Sequence, residues 1–268
     1  MTNGQRYPRR ISTVCLRYKE TDMSQTSLVT GGTSGIGWAV ARKLLAASTD
    51  PADRIIINYG HDDSAAQSCI ASFSVDQQAK VVLVKADLSQ RDTLSGFVTQ
   101  ISSITSHIDY LVLNTGVGTY KPFFDYSFED WDQIIETNLT IPVFLAQQLR
   151  PLLAENASIV FTGSYAGIVP YSTSLAYGVS KAGLLFAAKA LVKEFEDKAV
   201  RVNAVAPGFV ETPWQEGRSQ ESRDRINAKI ALHRFGAPEE VAEAVYALLT
   251  NTYINGSVLE IHGGYGYF

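Results

Sequence analysis

The sequence has few cysteines and no long hydrophobic run, and each absence excludes a class of protein. Only Cys15 and Cys69 occur among 268 residues, which is too few for a disulfide framework, and the chain has no C-x-x-C pair. We therefore expect two free thiols in a reducing compartment. No apolar run approaches the roughly 18 residues that indicate a transmembrane helix. Neither a disulfide-stapled secreted domain nor a membrane protein is predicted.

An excess of basic charge is also absent. Lys and Arg total 23 against 27 Asp and Glu, so the formal net charge is -4. We expect no nucleic-acid partner, and an anionic ligand would be held by local backbone donors and a few cations. The four histidines lack the spacing of metal ligands, so no metal site is predicted.

The first 22 residues differ in charge from the rest of the chain. They contain five basic residues and no acidic residue before Glu20, which loosely resembles a mitochondrial transit peptide. The interpretation that we favour is a disordered extension over residues 1–23, or a segment preceding a later start at Met23. We expect a folded domain over residues 24–268 and a cytoplasmic protein, with mitochondrial import as the alternative.

Short apolar, β-rich runs alternate with longer helical patterns. Such alternation predicts a parallel sheet with helices on both faces, and continuous apolar runs such as Ile55-Ile56-Ile57 suit strands that are covered on both faces. We predict an α/β, doubly wound, seven-stranded Rossmann fold in a single domain. The predicted strands are Ser27–Thr30, Arg54–Tyr59, Lys80–Val84, Tyr110–Leu113, Ser158–Thr162, Val200–Val205 and Val258–Ile261, and the clearest helices are Ile36–Ser48, Phe128–Ala154, Ala176–Asp197 and Pro238–Thr250.

A glycine-rich turn, Thr30–Gly37, follows the first predicted strand and opens the first helix. Glycine permits tight turns and close backbone approach, and a helix N-terminus offers free N–H groups and partial positive charge to a pyrophosphate. A purely structural turn is the alternative, but its place between strand and helix favours a dinucleotide. The predicted contacts are Gly31, Thr33, Ser34, Gly35, Ile36 and Gly37.

Tyr177 and Lys181 are four residues apart, so they share one face of a predicted helix, and Ser164 is thirteen residues upstream. A nearby positive charge favours the phenolate and lowers a tyrosine pKa that is otherwise about 10. Such a tyrosine can exchange a proton with a substrate oxygen. A solvated helix face is the alternative for this common pair of residues.

Taken together, these motifs resemble the single-domain branch of the short-chain dehydrogenases/reductases. The resemblance runs from about Ser24 to Gly264. It rests on the order and spacing of Thr30–Gly37, Asn114-Thr115-Gly116, Asn138, Ser164, Tyr177, Lys181 and Pro207-Gly208.

The resemblance implies a catalytic tetrad. Tyr177 would be the general acid/base, and Lys181 would lower its pKa and hold the nicotinamide ribose. Ser164 would bind the substrate oxygen and stabilise developing charge. Asn138 would anchor a water that links Lys181 to solvent, with a solvent-facing helix position as the alternative.

The resemblance also implies further cofactor contacts. Asp87-Leu88 would meet the adenine, although Asp87 could instead cap a helix. Thr115 stands where the family usually has alanine, a small departure. The implied contacts are Asp87, Leu88, Asn114, Gly116, Tyr177, Lys181, Pro207, Gly208, Val210 and Thr212, with Val210 and Thr212 at the carboxamide.

The segment Asn58-Tyr59-Gly60-His61 occupies the place where an acidic residue would grip the ribose of NAD. No carboxylate stands there to repel a 2′-phosphate, although no arginine is available to clamp one. Asp62 and Asp63 come slightly late and could cap the next helix. We favour NADP(H), with NAD(H) as the alternative.

The substrate pocket is expected at the carboxyl edge of the sheet, under a lid around residues 211–235. Arg218, Arg223 and Arg225 could meet an acidic substrate, but a solvated charged helix is favoured. We predict a carbonyl/alcohol pair on an apolar or aromatic small molecule. The candidate lining residues are Val117, Tyr120, Phe123, Tyr165, Ile168, Val169, Tyr171 and Trp214.

The helix from Ala176 is apolar over more than one face. We therefore expect a homotetramer or homodimer, with a deeply buried monomer helix as the alternative. Three other functions remain open: a ketoacyl-thioester reductase, a dinucleotide sensor without turnover, and a nucleotide-sugar epimerase or dehydratase. A sensor is expected to lose the tyrosine or lysine, and the epimerase branch has a longer substrate domain.

Overall fold

The structure is a computed structural model that describes residues 24–118, 121–170 and 174–267. The predicted extension over residues 1–23 lies outside the described residues, as do Tyr120 and Tyr171. The strands are β1 Thr26–Val29, β2 Arg54–Tyr59, β3 Val81–Lys85, β4 Ile108–Leu113, β5 Leu153–Thr162, β6 Arg201–Pro207 and β7 Val258–Ile261. The α-helices are α1 Gly35–Ala47, α2 Asp63–Ala71, α3 Val75–Gln78, α4 Leu94–Ile104, α5 Phe128–Ile135, α6 Ile141–Leu149, α7 Leu175–Ala190, α8 Gln220–Asn227 and α9 Pro238–Thr250.

The strands form one parallel sheet in the order β3-β2-β1-β4-β5-β6-β7. The chain builds outward from β1 in one direction, crosses back, and builds outward from β4 in the other. A crevice therefore opens between the carboxyl ends of β1 and β4, where ligands bind in open α/β sheets. The predicted doubly wound Rossmann fold in a single domain is confirmed.

Alternate residues of the strands supply two separate cores. Leu28, Leu111 and Ile159 face α4, α6 and α7, and their immediate neighbours Val29 and Val112 face α1 and α9. Because successive strand residues point to opposite faces, a strand covered on both sides must be apolar throughout. This explains the continuous apolar runs.

The predicted helix Phe128–Ala154 is helical up to Leu152, but it is not one continuous α-helix. It is interrupted by a π-turn at Glu136–Thr140 and ends before Leu153, where β5 begins. Pro142 has no N–H to donate to the carbonyl four residues earlier, that of Asn138, and its ring crowds that carbonyl. The turn widens instead, and the N–H of Ile141 bonds the carbonyl of Glu136.

The helix predicted over Ala176–Asp197 ends earlier than expected. Regular α7 stops at Ala190, and a 3-10 segment follows over Lys193–Lys198. The positions of β2, β7 and α9 match the sequence prediction. None of the helices in the described ranges combines the length and apolarity needed to cross a bilayer.

Candidate active site

The glycine-rich turn after β1 leaves the N-terminus of α1 open toward the crevice. Gly31 and Gly35 have φ of 58° and 50°, a left-handed conformation that glycine adopts without strain. Ser34 precedes α1 in an extended conformation and makes no capping bond with its side chain. The first backbone N–H groups of α1 therefore remain available to an anion.

Gly37 is required by the packing of this turn. A Cβ atom at Gly37 would lie 2.2 Å from the carbonyl oxygen of Gly31 and 2.5 Å from Nδ2 of Asn114. That same Nδ2 donates to the Gly31 carbonyl at 3.1 Å. The absence of a side chain at Gly37 thus lets Asn114, after β4, hold the turn that follows β1.

Asn58 braces the turn from the other side. It is fully buried at the end of β2, accepts from the N–H of Gly31 at 3.3 Å, and donates to the carbonyls of Val84 and Ala86. Both the oxygen and the nitrogen of the Asn58 side-chain amide are thus bonded to the protein's own backbone. Asn58 therefore shapes the cofactor site, and its side chain is not among the groups that line the cavity.

Lys181 is buried one turn beyond Tyr177. Its Nζ donates to the carbonyl oxygen of Thr162, at the end of β5, at 2.8 Å, and lies 5.8 Å from the centre of the Tyr177 ring. Burial lowers the pKa of Lys181 to about 8, because a low-dielectric environment disfavours the charged ammonium. The pair thus lies on one helix face, as predicted from its spacing.

Ser164 is positioned by a short 3-10 turn at Tyr165–Gly167 that packs directly on α7. Its Oγ accepts from the N–H of Ala166 at 3.2 Å, which leaves its own proton for another acceptor. A Cβ atom at Gly167 would come within 2.6 Å of the Ala182 nitrogen. Glycine therefore allows the close approach that sets Ser164 beside the Tyr177 face.

Asn138 lies inside the π-turn and is completely buried, so its predicted alternative of a solvent-facing residue is wrong. Its amide clamps the backbone of Val117 through two bonds of 2.8 Å, and its Nδ2 also donates to Ser180. A Cβ atom at Gly116 would lie 3.2 Å from Oδ1 of Asn138 and 3.4 Å from Nζ of Lys181. The fold thus brings Asn138 and Lys181 to the same point.

A cavity of about 610 Å³ joins these parts. It runs from the N-terminus of α1, across the ends of β4 and β5, to the segment after β6. Thirteen of the predicted site residues line it: Gly31, Ser34, Gly35, Ile36, Asn114, Gly116, Ser164, Tyr177, Lys181, Pro207, Gly208, Val210 and Thr212.

Other predicted residues lie behind the lining rather than in it. They are Thr33, Gly37, Asn58, Tyr59, Asp87, Leu88 and Asn138. Leu88 is buried in the core. Oδ1 of Asp87 accepts from the N–H of Ser89, and the N-cap position of the next 3-10 helix is Gln90, whose side chain makes no capping bond. The capping role considered for Asp87 is therefore not what the structure shows.

Of the predicted substrate-lining residues that the structure describes, only Trp214 lines the cavity. Its ring meets that of Tyr177 edge-on at 5.7 Å, and a Cβ atom at Gly118 would lie 2.6 Å from it. Tyr165 instead packs against His262 and Tyr265. The cavity is also lined by four residues that were not predicted from the sequence and that come from distant parts of the chain: Phe209, Ile226, Lys229 and Tyr265.

Comparison with known proteins identifies the family. Residues 31–266 match the family described as enoyl-(acyl carrier protein) reductase. The chain is 34% identical over 244 residues to a 3-oxoacyl-(acyl-carrier-protein) reductase of Aquifex aeolicus, covering 90% of this chain and 96% of that one. The chain belongs to the short-chain dehydrogenase/reductase family. It is therefore an NAD(P)-dependent oxidoreductase that acts on an alcohol/carbonyl group.

Solved structures agree with this assignment. A short-chain dehydrogenase/reductase from Serratia marcescens has a TM-score of 0.80 and 27% identity, covering 90% of this chain and 97% of that chain. The protein BdcA, solved in complex with NADPH, has a TM-score of 0.79 and 25% identity, covering 90% and 94% respectively.

The residues of the crevice fit a dinucleotide. The uncapped N-terminus of α1 suits a pyrophosphate, and the side-chain-free positions Gly31, Gly35 and Gly116 leave room for close approach. Nζ of Lys181 lies beside this space and donates to a backbone carbonyl. No cluster of side chains in the described ranges could hold a metal ion.

Burial of Lys181 predicts a pH effect on stability. Between the folded pKa of about 8 and the unfolded value of about 10.4, only the unfolded chain holds this proton, so stability rises with pH. Urea unfolding should be compared between Tyr177→Phe and Tyr177→Phe/Lys181→Met. The lysine-containing variant should gain up to about 3 kcal/mol relative to the other over this pH window.

Keeping Tyr177→Phe in both proteins removes the titration of the neighbouring phenol from the difference. A difference in unfolding free energy that stays flat from pH 8 to pH 10.4 would show that Lys181 keeps an ordinary pKa and is not desolvated.

Proposed function

We propose that this protein is an NADP(H)-dependent reductase of a small carbonyl compound in which Tyr177 is the proton donor. The observation that carries the proposal is one continuous cavity that contains Tyr177, Ser164 and the buried Lys181 at one end and the open N-terminus of α1 at the other. A dinucleotide long enough to span this cavity would bring its nicotinamide to the tyrosine.

The protein residues supply position and protonation. The hydroxyl of Ser164 donates to the substrate carbonyl oxygen and stabilises the negative charge that develops on it. Tyr177 gives that oxygen a proton as the carbonyl becomes an alcohol. Lys181 holds the nicotinamide ribose and favours the tyrosinate that remains. When bound, the nicotinamide supplies the hydride that goes to the carbonyl carbon.

Asn138 supports the return of the proton. It places the Val117 backbone and lies within reach of the same point as Lys181. A water held there would connect the buried ammonium to solvent, and the pKa of about 8 allows Lys181 to exchange protons near neutral pH.

The end of β2 supports NADP(H) over NAD(H). Tyr59 replaces an acidic residue there, and its hydroxyl donates to Asp63 at 2.8 Å. Asp63 also accepts from Lys85 at 2.6 Å, a bond that lowers the pKa of this carboxyl group. Asp62 caps α2. The charge of Asp63 is thus offset by Lys85, which weakens its repulsion of a 2′-phosphate.

A β-oxoacyl thioester is the second candidate substrate, favoured by the name of the Aquifex relative. The chemistry in the cavity is the same for either substrate, since both present a carbonyl oxygen to Ser164 and Tyr177. A cytoplasmic location remains a prediction from the sequence.

Replacement of Tyr177 by phenylalanine tests the proton donor. We expect Tyr177→Phe to lower kcat by about 100-fold or more and to leave the dissociation constant of NADPH unchanged, because only the hydroxyl is removed. NADPH oxidation should be followed over a panel of ketones, oxo acids and oxo esters, with cofactor binding measured by fluorescence. Activity equal to that of the wild type would refute the assignment.

Replacement of Tyr59 by aspartate tests the cofactor choice. A carboxylate beside a 2′-phosphate costs about 1–4 kcal/mol at contact distance, so the NADPH/NADH ratio of kcat/KM should fall about tenfold or more. Tyr59→Asn is the matched control, because it also removes the phenol but adds no charge. If both variants change the ratio equally, the charge at this position does not read the 2′-phosphate.

The described helices also support self-association. Exposed apolar side chains lie along α7 at Leu175, Val179 and Phe186, and α5 and α6 add Phe128 and Phe144. Leu175 and Val179 are one turn apart, and Phe186 continues the same stripe. Exposed apolar patches of this kind mark protein interfaces, so we propose a homodimer or homotetramer through α5, α6 and α7.

A charge in this stripe should weaken the assembly. The side chain of Phe186 is 73% exposed, so Phe186→Glu should leave the fold intact and reduce the mass measured by analytical ultracentrifugation. Val75→Glu is the control, since Val75 is 81% exposed and lies on a different helix. An unchanged assembly in Phe186→Glu would place the interface elsewhere.

A further inference from the structure

One part of the cavity wall is basic. It is formed by the segment after β6, where Arg218, Arg225 and Lys229 line the same space as Ser164 and Tyr177. No Asp or Glu occurs among the described residues that line the cavity. The chain as a whole has a net charge of -4, so this local excess of positive charge runs against the composition.

Two of these cations have no acidic partner in the part of the chain that the structure describes. Arg225 and Lys229 form no ion pair with any residue of the described ranges. The neighbouring Arg223 behaves differently, because it pairs with Glu211 and lies outside the cavity lining. Arg223 is therefore better described by an ion pair than by the solvated charged helix favoured from the sequence. Arg225 is exposed, as that interpretation expects, and it also lines the cavity.

Packing fixes which way this part of the chain faces. Ile226 and Ile230 are buried against Phe235, Tyr165 and Tyr265. Arg225 precedes one of these anchors and Lys229 precedes the other, and residues four apart lie on one side of a helical turn. The buried isoleucines thus fix the position of this segment, and Arg225 and Lys229 lie together on its side that lines the cavity.

Arg218 is held in place by its own contacts. Its Nε donates to Gln215 at 2.8 Å, its Nη1 donates to Ser222 at 3.1 Å, and its guanidinium lies over the Phe209 ring at 5.6 Å. A guanidinium fixed in this way binds an anion without a large further loss of side-chain entropy.

We infer that Arg218, Arg225 and Lys229 bind an anionic group of the substrate, a carboxylate or a phosphate on the molecule whose carbonyl is reduced. This inference rests on the proposed function and adds a charged end to the expected apolar substrate. Trp214, Phe209 and Tyr265 also line the cavity, so a substrate with an apolar body and one anionic end matches the whole surface.

Paired substrates test the inference and distinguish the two sources of charge. The first pair is a free β-oxo acid and its methyl ester. The second pair is a β-oxoacyl coenzyme A thioester, which carries phosphates, and the matching neutral N-acetylcysteamine thioester. In at least one pair, the wild type should show a kcat/KM about tenfold or more higher for the anionic member, mainly through KM.

Arg225→Gln/Lys229→Gln should remove that preference while leaving kcat/KM for the neutral member within about twofold. Arg225→Lys should retain most of it, since the charge is kept. Lys189→Gln/Lys193→Gln is the matched control: both lysines are exposed, form no ion pair in the described ranges and lie outside the cavity lining. Thermal unfolding should verify that all variants are folded.

Three results would overturn the inference. Equal effects on the charged and neutral members would show that the wall acts only on folding or lid position. A loss of NADPH affinity in Arg225→Gln/Lys229→Gln without a change in substrate preference would assign the wall to the cofactor. A wild type that prefers neither anion would also overturn it, although turnover of the neutral ester would leave the proposed function intact.

Absence of turnover on every compound would instead count against the proposed function. The inference then has its own measurement, which is binding of the free β-hydroxy acid to the NADP⁺-loaded protein by calorimetry. Affinity that is lost in Arg225→Gln/Lys229→Gln and retained in the lysine control would support the anion site, and affinity equal in all three proteins would overturn it.

Discussion

The burial of one positive charge is the constraint on which the site depends. Lys181 has its ammonium held by the backbone carbonyl of Thr162, inside a protein region that disfavours charge. The end of β5 supplies that carbonyl, α7 carries the lysine, and Gly116 after β4 leaves the space above it. The spacing along α7 places the lysine beside Tyr177, but three separate elements must be in register to bury and hold its ammonium. The parallel sheet provides that register.

Glycine positions connect this constraint to the cofactor site. Gly37 allows Asn114 to hold the phosphate-binding turn, and Gly167 allows the Ser164 turn to approach α7. A larger residue at Gly37 or Gly167 would collide with backbone atoms of the neighbouring segment. Because backbone atoms cannot move aside as a side chain can, the two segments would have to separate. The catalytic and cofactor ends of the cavity are thus set by the same kind of contact.

Local sequence patterns predicted those features that depend only on neighbouring residues in the chain. The apolar runs located β2 and β7, and the spacing of Tyr177 and Lys181 placed them on one helix face. The sequence did not reveal the π-turn around Asn138, whose cause is the missing N–H of Pro142 four residues later. Pro142 is present in the sequence, so a break in the helix at this point could have been predicted from it.

The remaining differences depend on contacts between distant segments. Asn58 looks like a cofactor contact from its position near the end of β2, yet its bonds to Gly31, Val84 and Ala86 are visible only in the fold. Likewise, the charge pattern of α8 suits a solvated helix. Only the burial of Ile226 against Tyr265 turns Arg225 toward the cavity rim. The net charge of the chain could not predict a basic cavity wall, because the chain as a whole is negatively charged.

A crystal structure with NADPH bound would test the central claim most directly, namely that one cavity brings the cofactor to Tyr177. Our account predicts pyrophosphate oxygens within hydrogen-bond distance of the first N–H groups of α1, ribose hydroxyls on Nζ of Lys181, and the nicotinamide beside Tyr177 and Ser164. A dinucleotide bound away from the α1 N-terminus, or a nicotinamide that does not reach Tyr177, would contradict it.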